Sequence, residues 1–184
     1  RRQRQMCIRD RNDMSFVCKY NSPIGTIIIA SDGECLTGLY FEEQKYIDKN
    51  LLESKYIDLP IFEETKKWLD VYFSGKAPKF TPPILLKSVS QFRKMVWNIL
   101  AQIPFGKTTT YGEMAKQIEE KTGKRVSAQA VGGAVSHNPI SIIIPCHRVL
   151  GTGGNLTGYA GGIDKKLALL KLEGHDTSKF KFPK

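Results

Sequence analysis

Between Phe16 and Phe41 the apolar residues come in short runs bounded by turn formers: Phe16 to Tyr20, Gly25 to Ala30, a Ser31-Asp32-Gly33-Glu34 turn, then Cys35 to Phe41. Runs of this length, rich in β-branched and aromatic residues, predict strands, here a small antiparallel sheet. The period then changes. Ile61, Trp68 and Tyr72, flanked by Phe62, Leu69 and Phe73, recur at helical spacing and stop at Gly75, which suits a helix C-cap. This helix is expected to cover the sheet. The stretch from Lys76 to Pro83 carries three of the nine prolines and predicts an extended connection, with a unit boundary near Lys87.

Beyond that boundary Phe92, Met95, Val96, Ile99, Leu100 and Ile103 follow i, i+3, i+4, i+7, i+8 and i+11, with Ser90 as N-cap and Pro104 as terminator. After a Pro104-Phe105-Gly106-Lys107 turn, Thr110 and Glu113 stand at capping-box spacing and open a helix with Met114, Ala115 and Ile118 inward, ending near Gly123. Ser127 caps a short helix from Ala128 to Val135, so helix, basic turn (Lys121, Lys124, Arg125) and helix follow in order, the outline of a helix-turn-helix. Gly132 and Gly133 lie inside that second helix, where each costs about 0.8 to 1 kcal/mol relative to Ala. Two explanations remain: close packing against a neighbouring helix, or a slim helix that must approach another molecule such as DNA.

The 184 residues suffice for a real core, and 25% charged with 41% hydrophobic residues is a globular composition. The aliphatic runs Ile27 to Ala30 and Ile142 to Ile144 fall far short of the roughly 18 residues a membrane span needs, so no membrane association is expected. The net charge of +10 favours a polyanionic partner, nucleic acid first, against the alternative that it only aids solubility. Residues 1–13 hold five Arg and two Asp, a net +3, and read as a disordered leader; the remaining +7 keeps the chain basic. Cys7, Cys18, Cys35 and Cys146 form no CxxC, which argues against a disulfide framework and fits a cytoplasmic protein. His137, His147 and His175 lie far from the early cysteines, and no metal site is expected.

The chemistry concentrates in Asn138-Pro139-Ile140-Ser141-Ile142-Ile143-Ile144-Pro145-Cys146-His147-Arg148-Val149. Neighbours on a strand face opposite ways, so Cys146 and His147 cooperate only if the chain turns at Pro145 or a water bridges them. Glu173, after the apolar run Leu167 to Leu172 at the end of a helix starting near Asp164, could orient the imidazole or could be an ordinary helix end.

The segment Pro145-Cys146-His147-Arg148-Val149 follows Ala130-Val131-Gly132-Gly133-Ala134 and Asn138-Pro139, and precedes Gly158-Tyr159-Ala160-Gly161-Gly162 and Glu173-Gly174. In order and spacing it resembles the O6-alkylguanine-DNA alkyltransferase family, strongly over residues 88–175 and more loosely around Ser22 to Gly25 and Trp68. The resemblance implies an α/β (α+β) protein: a leader (1–13), a ribonuclease-H-like domain with a small antiparallel sheet and helix (14–87), and a winged-helix DNA-binding domain (88–184). It implies methylated-DNA-protein-cysteine S-methyltransferase activity, in which a modified guanine, and also O4-alkylthymine, is flipped from double-stranded DNA and its alkyl group passes once to Cys146.

In that scheme His147 draws the thiol proton through a water, Glu173 orients the imidazole, Asn138 orders the turn, and Tyr111 protonates the leaving guanine. Backbone groups of Cys146 and Val149 read the base edge. The loop at Tyr159 and Ala160 closes over it, bordered by Lys166. Ser127, Gln129, Arg125, Lys124, Lys121 and Arg148 are the expected DNA contacts, the last four as phosphate partners. No cofactor is implied, and the protein is expected to act as a monomer. Two positions depart from the family pattern: Gln129 stands where an arginine commonly enters the base stack, and Ala160 where many relatives carry Ser. Two rival classes remain, a helix-turn-helix regulator without chemistry and a cysteine hydrolase that turns over.

Overall fold

The computed structural model describes residues 15–47, 51, 54–87 and 89–183; the expected leader, including Cys7, lies outside the described residues. The chain divides into two compact units, Arg1–Ser88 and Val89–Lys184.

In the first unit β1 (Phe16–Ser22), β2 (Gly25–Ser31) and β3 (Leu36–Phe41) form the expected antiparallel sheet. A two-residue strand, β4 (Lys55–Tyr56), adds parallel to β1 and completes the order β3-β2-β1-β4. Two residues are too few to leave a periodic signal. β3 begins one residue later than the apolar run suggests because Asp32 accepts hydrogen bonds from the Glu34 and Cys35 amides, at 3.0 and 2.8 Å, which keeps Cys35 in the turn. Helix α1 (Pro60–Phe73) starts on Pro60, where the missing N–H costs nothing, and packs against β1 and β2. It buries Ile61, Phe62, Thr65, Trp68, Leu69 and Tyr72. On the other face of the sheet, Val17, Ile28, Ala30 and Tyr40 cluster with Leu51, which explains why β2 reads as continuously apolar. The proline-rich connection returns along the sheet, with the Leu36 amide bonded to the Pro83 carbonyl and the Leu85 amide to that of Leu36.

The second unit opens with three helices. Helix α2 (Gln91–Leu100) is capped by Ser90, as its sequence predicts, but stops at Leu100, not Ile103. The residue before a proline resists helical geometry, so the chain tightens into short turns ahead of Pro104. Helix α3 (Tyr111–Thr122) opens on the reciprocal Thr110–Glu113 capping box and closes on left-handed Gly123. Helix α4 (Ala128–Ser136) is capped by Ser127, which accepts from the Ala130 amide at 3.1 Å. Trp97 on α2 buries its indole and donates to the Ala134 carbonyl at 2.8 Å, locking α4 in place.

Strands β5 (Thr109–Thr110) and β6 (Val149–Leu150) pair in parallel, and helix α5 (Ile163–Leu172) follows. Gly151 bridges Asn155 across a hairpin, and Lys181 joins its edge through bonds to Leu156 and Gly154. Helix-turn-helix plus hairpin is a winged-helix arrangement. No helix among the described residues is long and apolar enough to cross a membrane.

Candidate active site

The stretch between α4 and β6 is shaped by one buried side chain. Asn138 accepts from the Ile140 amide at 3.0 Å and donates to the carbonyls of Ile140 and Ile144 at 3.2 and 2.7 Å. The chain inside this clamp is tight. Ile142 has φ +68, and the Ile143 amide reaches back to the Ser141 carbonyl at 2.8 Å, which is a γ-turn of the strained kind. Pro145 (φ −82, ψ +67) makes the relaxed mirror form, with the Cys146 amide on the Ile144 carbonyl at 2.8 Å. The chain therefore enters a 3-10 turn, Cys146–Arg148, and not a strand. The alternation that would separate Cys146 from His147 does not apply.

All three residues of that turn are buried. His147 Nε2 lies 2.7 Å from Glu173 Oε1, so Glu173, the C-cap residue of α5, is an orienting carboxylate in geometry and no ordinary helix end. Burial acts to raise the Glu173 carboxyl, but hydrogen bonds and charge from His147 and Arg148 outweigh it and hold it well below the usual range. His147 is pushed below its ordinary value, chiefly by burial, against the pull of Glu173. The pair is thus a carboxylate and a neutral imidazole whose Nε2–H donates to Glu173, leaving Nδ1 as the basic nitrogen. The Cys146 thiol is raised by burial, partly offset by hydrogen bonding from Asn138 and the Lys166 charge, so it rests protonated.

A second group of contacts converges on one carbonyl. Thr157 O accepts from Tyr111 Oη at 3.0 Å and from Lys166 Nζ at 2.8 Å, and Lys166 also donates to Val149 O at 2.5 Å. Lys166 is completely buried, and burial lowers its ammonium to about 8, opposed only by Cys146 when that thiol is ionised. It pins the Thr157–Gly162 loop to β6, which follows the Cys146–Arg148 turn. Burial and then the Cys146 charge raise the Tyr111 phenol above its ordinary value. Gly158, at φ +80, lies so close to Tyr111 that a Cβ would overlap the hydroxyl. Along the same loop Tyr159 is buried and Ala160 half-buried.

Helix α4 and its approach present a different surface. Lys121, Lys124, Arg125, Ser127 and Gln129 are exposed. A Cβ on Gly133 would meet nothing within 4 Å, and one on Gly132 would meet only the Tyr111 ring at 3.7 Å, an ordinary contact. Close packing inside the domain therefore does not explain these two glycines.

Arg148 is the correction. Expected to meet phosphate, it is 7% exposed and turned inward: Nε and Nη2 grip Glu173 at 2.9 to 3.1 Å, and Nη1 donates to Ile103 O at 2.6 Å. A basic residue beside a Cys-His pair reads equally well as surface or core, and only the fold decides.

Two family models match this chain: the 6-O-methylguanine DNA methyltransferase ribonuclease-like domain over residues 17–86 and the DNA binding domain of the same family over residues 91–175. The chain belongs to this family. A methylated-DNA–protein-cysteine methyltransferase of Haemophilus influenzae is 42% identical over 154 residues, covering 84% of this chain and 83% of that protein. One from Methanosarcina acetivorans is 42% identical over 163 residues, covering 84% and 96%. Among solved structures, the Mycobacterium tuberculosis O6-methylguanine methyltransferase superposes with a TM-score of 0.75 at 40% identity, covering 91% of this chain and 96% of that one. The same organism's protein in complex with DNA gives 0.74 at 40%, covering 90% and 94%.

Within this alkyltransferase-family domain the fold gathers Cys146, His147, Glu173, Asn138, Tyr111, Val149 and Lys166 from five places in the chain, while Gln129 and its basic neighbours stay on the outer face of the helix-turn-helix. Sequence reasoning missed the Thr157 carbonyl, the Gly106 amide that donates to Glu173 Oε2 at 3.0 Å, and the true partner of Arg148. Backbone groups carry no residue-type signal. Gly106, in a Pro-Phe-Gly-Lys turn, offered only a hint of its location.

Proposed function

We propose that this chain repairs O6-alkylguanine in double-stranded DNA by moving the alkyl group irreversibly to Cys146. The observation that carries the reading is the buried Cys146-His147 turn held by Glu173 within a helix-turn-helix domain of this family. The exposed basic approach to α4 binds the backbone, and the flipped base enters beneath the Thr157–Gly162 loop, because the thiol cannot reach O6 inside the duplex.

The thiol proton passes to neutral His147, and the imidazolium that forms is stabilised by Glu173. Cys146 Sγ forms a bond to the alkyl carbon as the carbon–O6 bond breaks. The electron pair stays on the guanine, which takes a proton from the Tyr111 hydroxyl, and the proton on His147 later restores Tyr111. A thioether is stable, and among the described residues no group is placed to remove it, so each molecule acts once; the transfer itself calls for no cofactor. O4-alkylthymine presents the same bond and is a further substrate. The protein acts as a monomer in the cytoplasm on this account.

Duplex DNA labelled in the methyl group of O6-methylguanine tests the reading. Label is expected to move to the wild-type protein and not to Cys146→Ala, while Cys146→Ala still binds the duplex. Transfer by Cys146→Ala would contradict the assignment of the acceptor.

A further inference from the structure

Three chain segments meet on the Glu173 carboxylate. Oε1 accepts from His147 Nε2 at 2.7 Å and Arg148 Nη2 at 2.9 Å, and Oε2 accepts from Arg148 Nε at 2.9 Å and the Gly106 amide at 3.0 Å. The remaining Arg148 nitrogen, Nη1, holds the Ile103 carbonyl, and the guanidinium lies 5.8 Å over the Phe105 ring. Glu173, Arg148 and His147 are 6%, 7% and 0% exposed, so their mutual charges are poorly screened.

A buried carboxylate alone beside an imidazole favours imidazolium. That would be the wrong state for a group that must receive a proton from Cys146. The guanidinium is always charged, and its fork engages both carboxylate oxygens. We propose that Arg148 is a positioning residue for alkyl transfer: its fork neutralises Glu173, so that the carboxylate fixes the tautomer and orientation of His147 while leaving the ring uncharged.

This inference rests on the transfer reaction above. The charged and titratable groups around His147 are Glu173 and Lys166 from α5, and Arg148 and Cys146 from its own turn; Tyr111 of α3 faces Cys146. Burial does most to keep the ring neutral, with the charges of Arg148 and Lys166 adding to it and only Glu173 opposing. Removing Arg148 leaves Glu173 less balanced. His147 then gains proton affinity, and the state in which both Cys146 and His147 are protonated extends to higher pH. That state cannot react, whichever of the two groups holds the proton in the reactive form.

The test has two arms. NMR titration of the His147 imidazole in the free protein is expected to show a ring neutral down to a pH below its ordinary 6.5, and Arg148→Met should raise that midpoint by about one unit, tenfold in proton concentration. Single-turnover transfer from an O6-methylguanine duplex should show its acid limb displaced by the same amount in Arg148→Met. Arg148→Lys, which keeps the charge and loses the fork, should slow the plateau yet leave the limb near its wild-type position. A lower plateau in Arg148→Met with the limb unmoved, or Arg148→Lys displaced as far as Arg148→Met, would overturn the proposal. If Arg148→Met does not fold, Arg148→Lys decides: a His147 midpoint raised by a full unit in that variant, or a wild-type midpoint at or above 6.5, overturns the proposal. Absence of wild-type transfer would instead defeat the function, since the NMR arm needs no substrate.

Discussion

Tyr111 and Gly158 constrain each other. The phenol donates to the carbonyl of Thr157, and the next residue has room for the hydroxyl only because it lacks a Cβ. Gly158→Ala must both adopt a left-handed φ that L side chains resist and push the Tyr111 ring away. Because a positioned general acid contributes on the order of 10²- to 10⁴-fold, this substitution is expected to slow transfer at least tenfold while duplex binding persists. Single-turnover kinetics beside a binding isotherm checks it; an unchanged rate would mean that Tyr111 takes no part in the chemistry. Tyr111→Phe should then be no faster than Gly158→Ala.

At the level of helices and turns, the glycines of α4 separate stability from function. Gly133 faces open space, so Gly133→Ala should stabilise the free protein by roughly 1 kcal/mol on helix propensity. If the helix must lie close to DNA, the same change weakens duplex affinity. Gln129→Arg, which adds a planar cation next to that surface, should tighten duplex binding and speed repair, with little effect on a free alkylguanine base that needs no flipping. Thermal unfolding paired with binding to duplex DNA reads both effects, and a Gly133→Ala variant that gains stability with undiminished affinity would remove α4 from the interface. Caps and apolar periods were legible in the chain because they are local: Ser90, Thr110 with Glu113, and Ser127 act where the pattern places them. What the pattern could not show was set by partners distant in sequence. Arg148 finds Glu173 25 positions away and Ile103 45 away, and no local rule distinguishes that arginine from one bound for phosphate. β4 was too short for any period, and the γ-turn at Ile142 exists because Asn138 imposes it on a β-branched residue.

Across the whole molecule, a charge of +10 with exposed Lys121, Lys124 and Arg125 beside α4 makes affinity for duplex DNA strongly salt-dependent. Neutralising any one of the three should reduce the log–log salt slope by about 0.9, whereas Arg148→Met, being buried, should leave the slope unchanged. A slope insensitive to all three would place the DNA elsewhere. The central claim is a single irreversible transfer to one thiol among four, and intact-protein mass spectrometry tests it most directly. Titrated with duplex containing O6-methylguanine, the protein is predicted to gain one methyl group per molecule, located on Cys146 by peptide mapping, and then to stop. Repeated turnover with an unmodified protein, or a methyl group found on Cys18 or Cys35, would contradict the account.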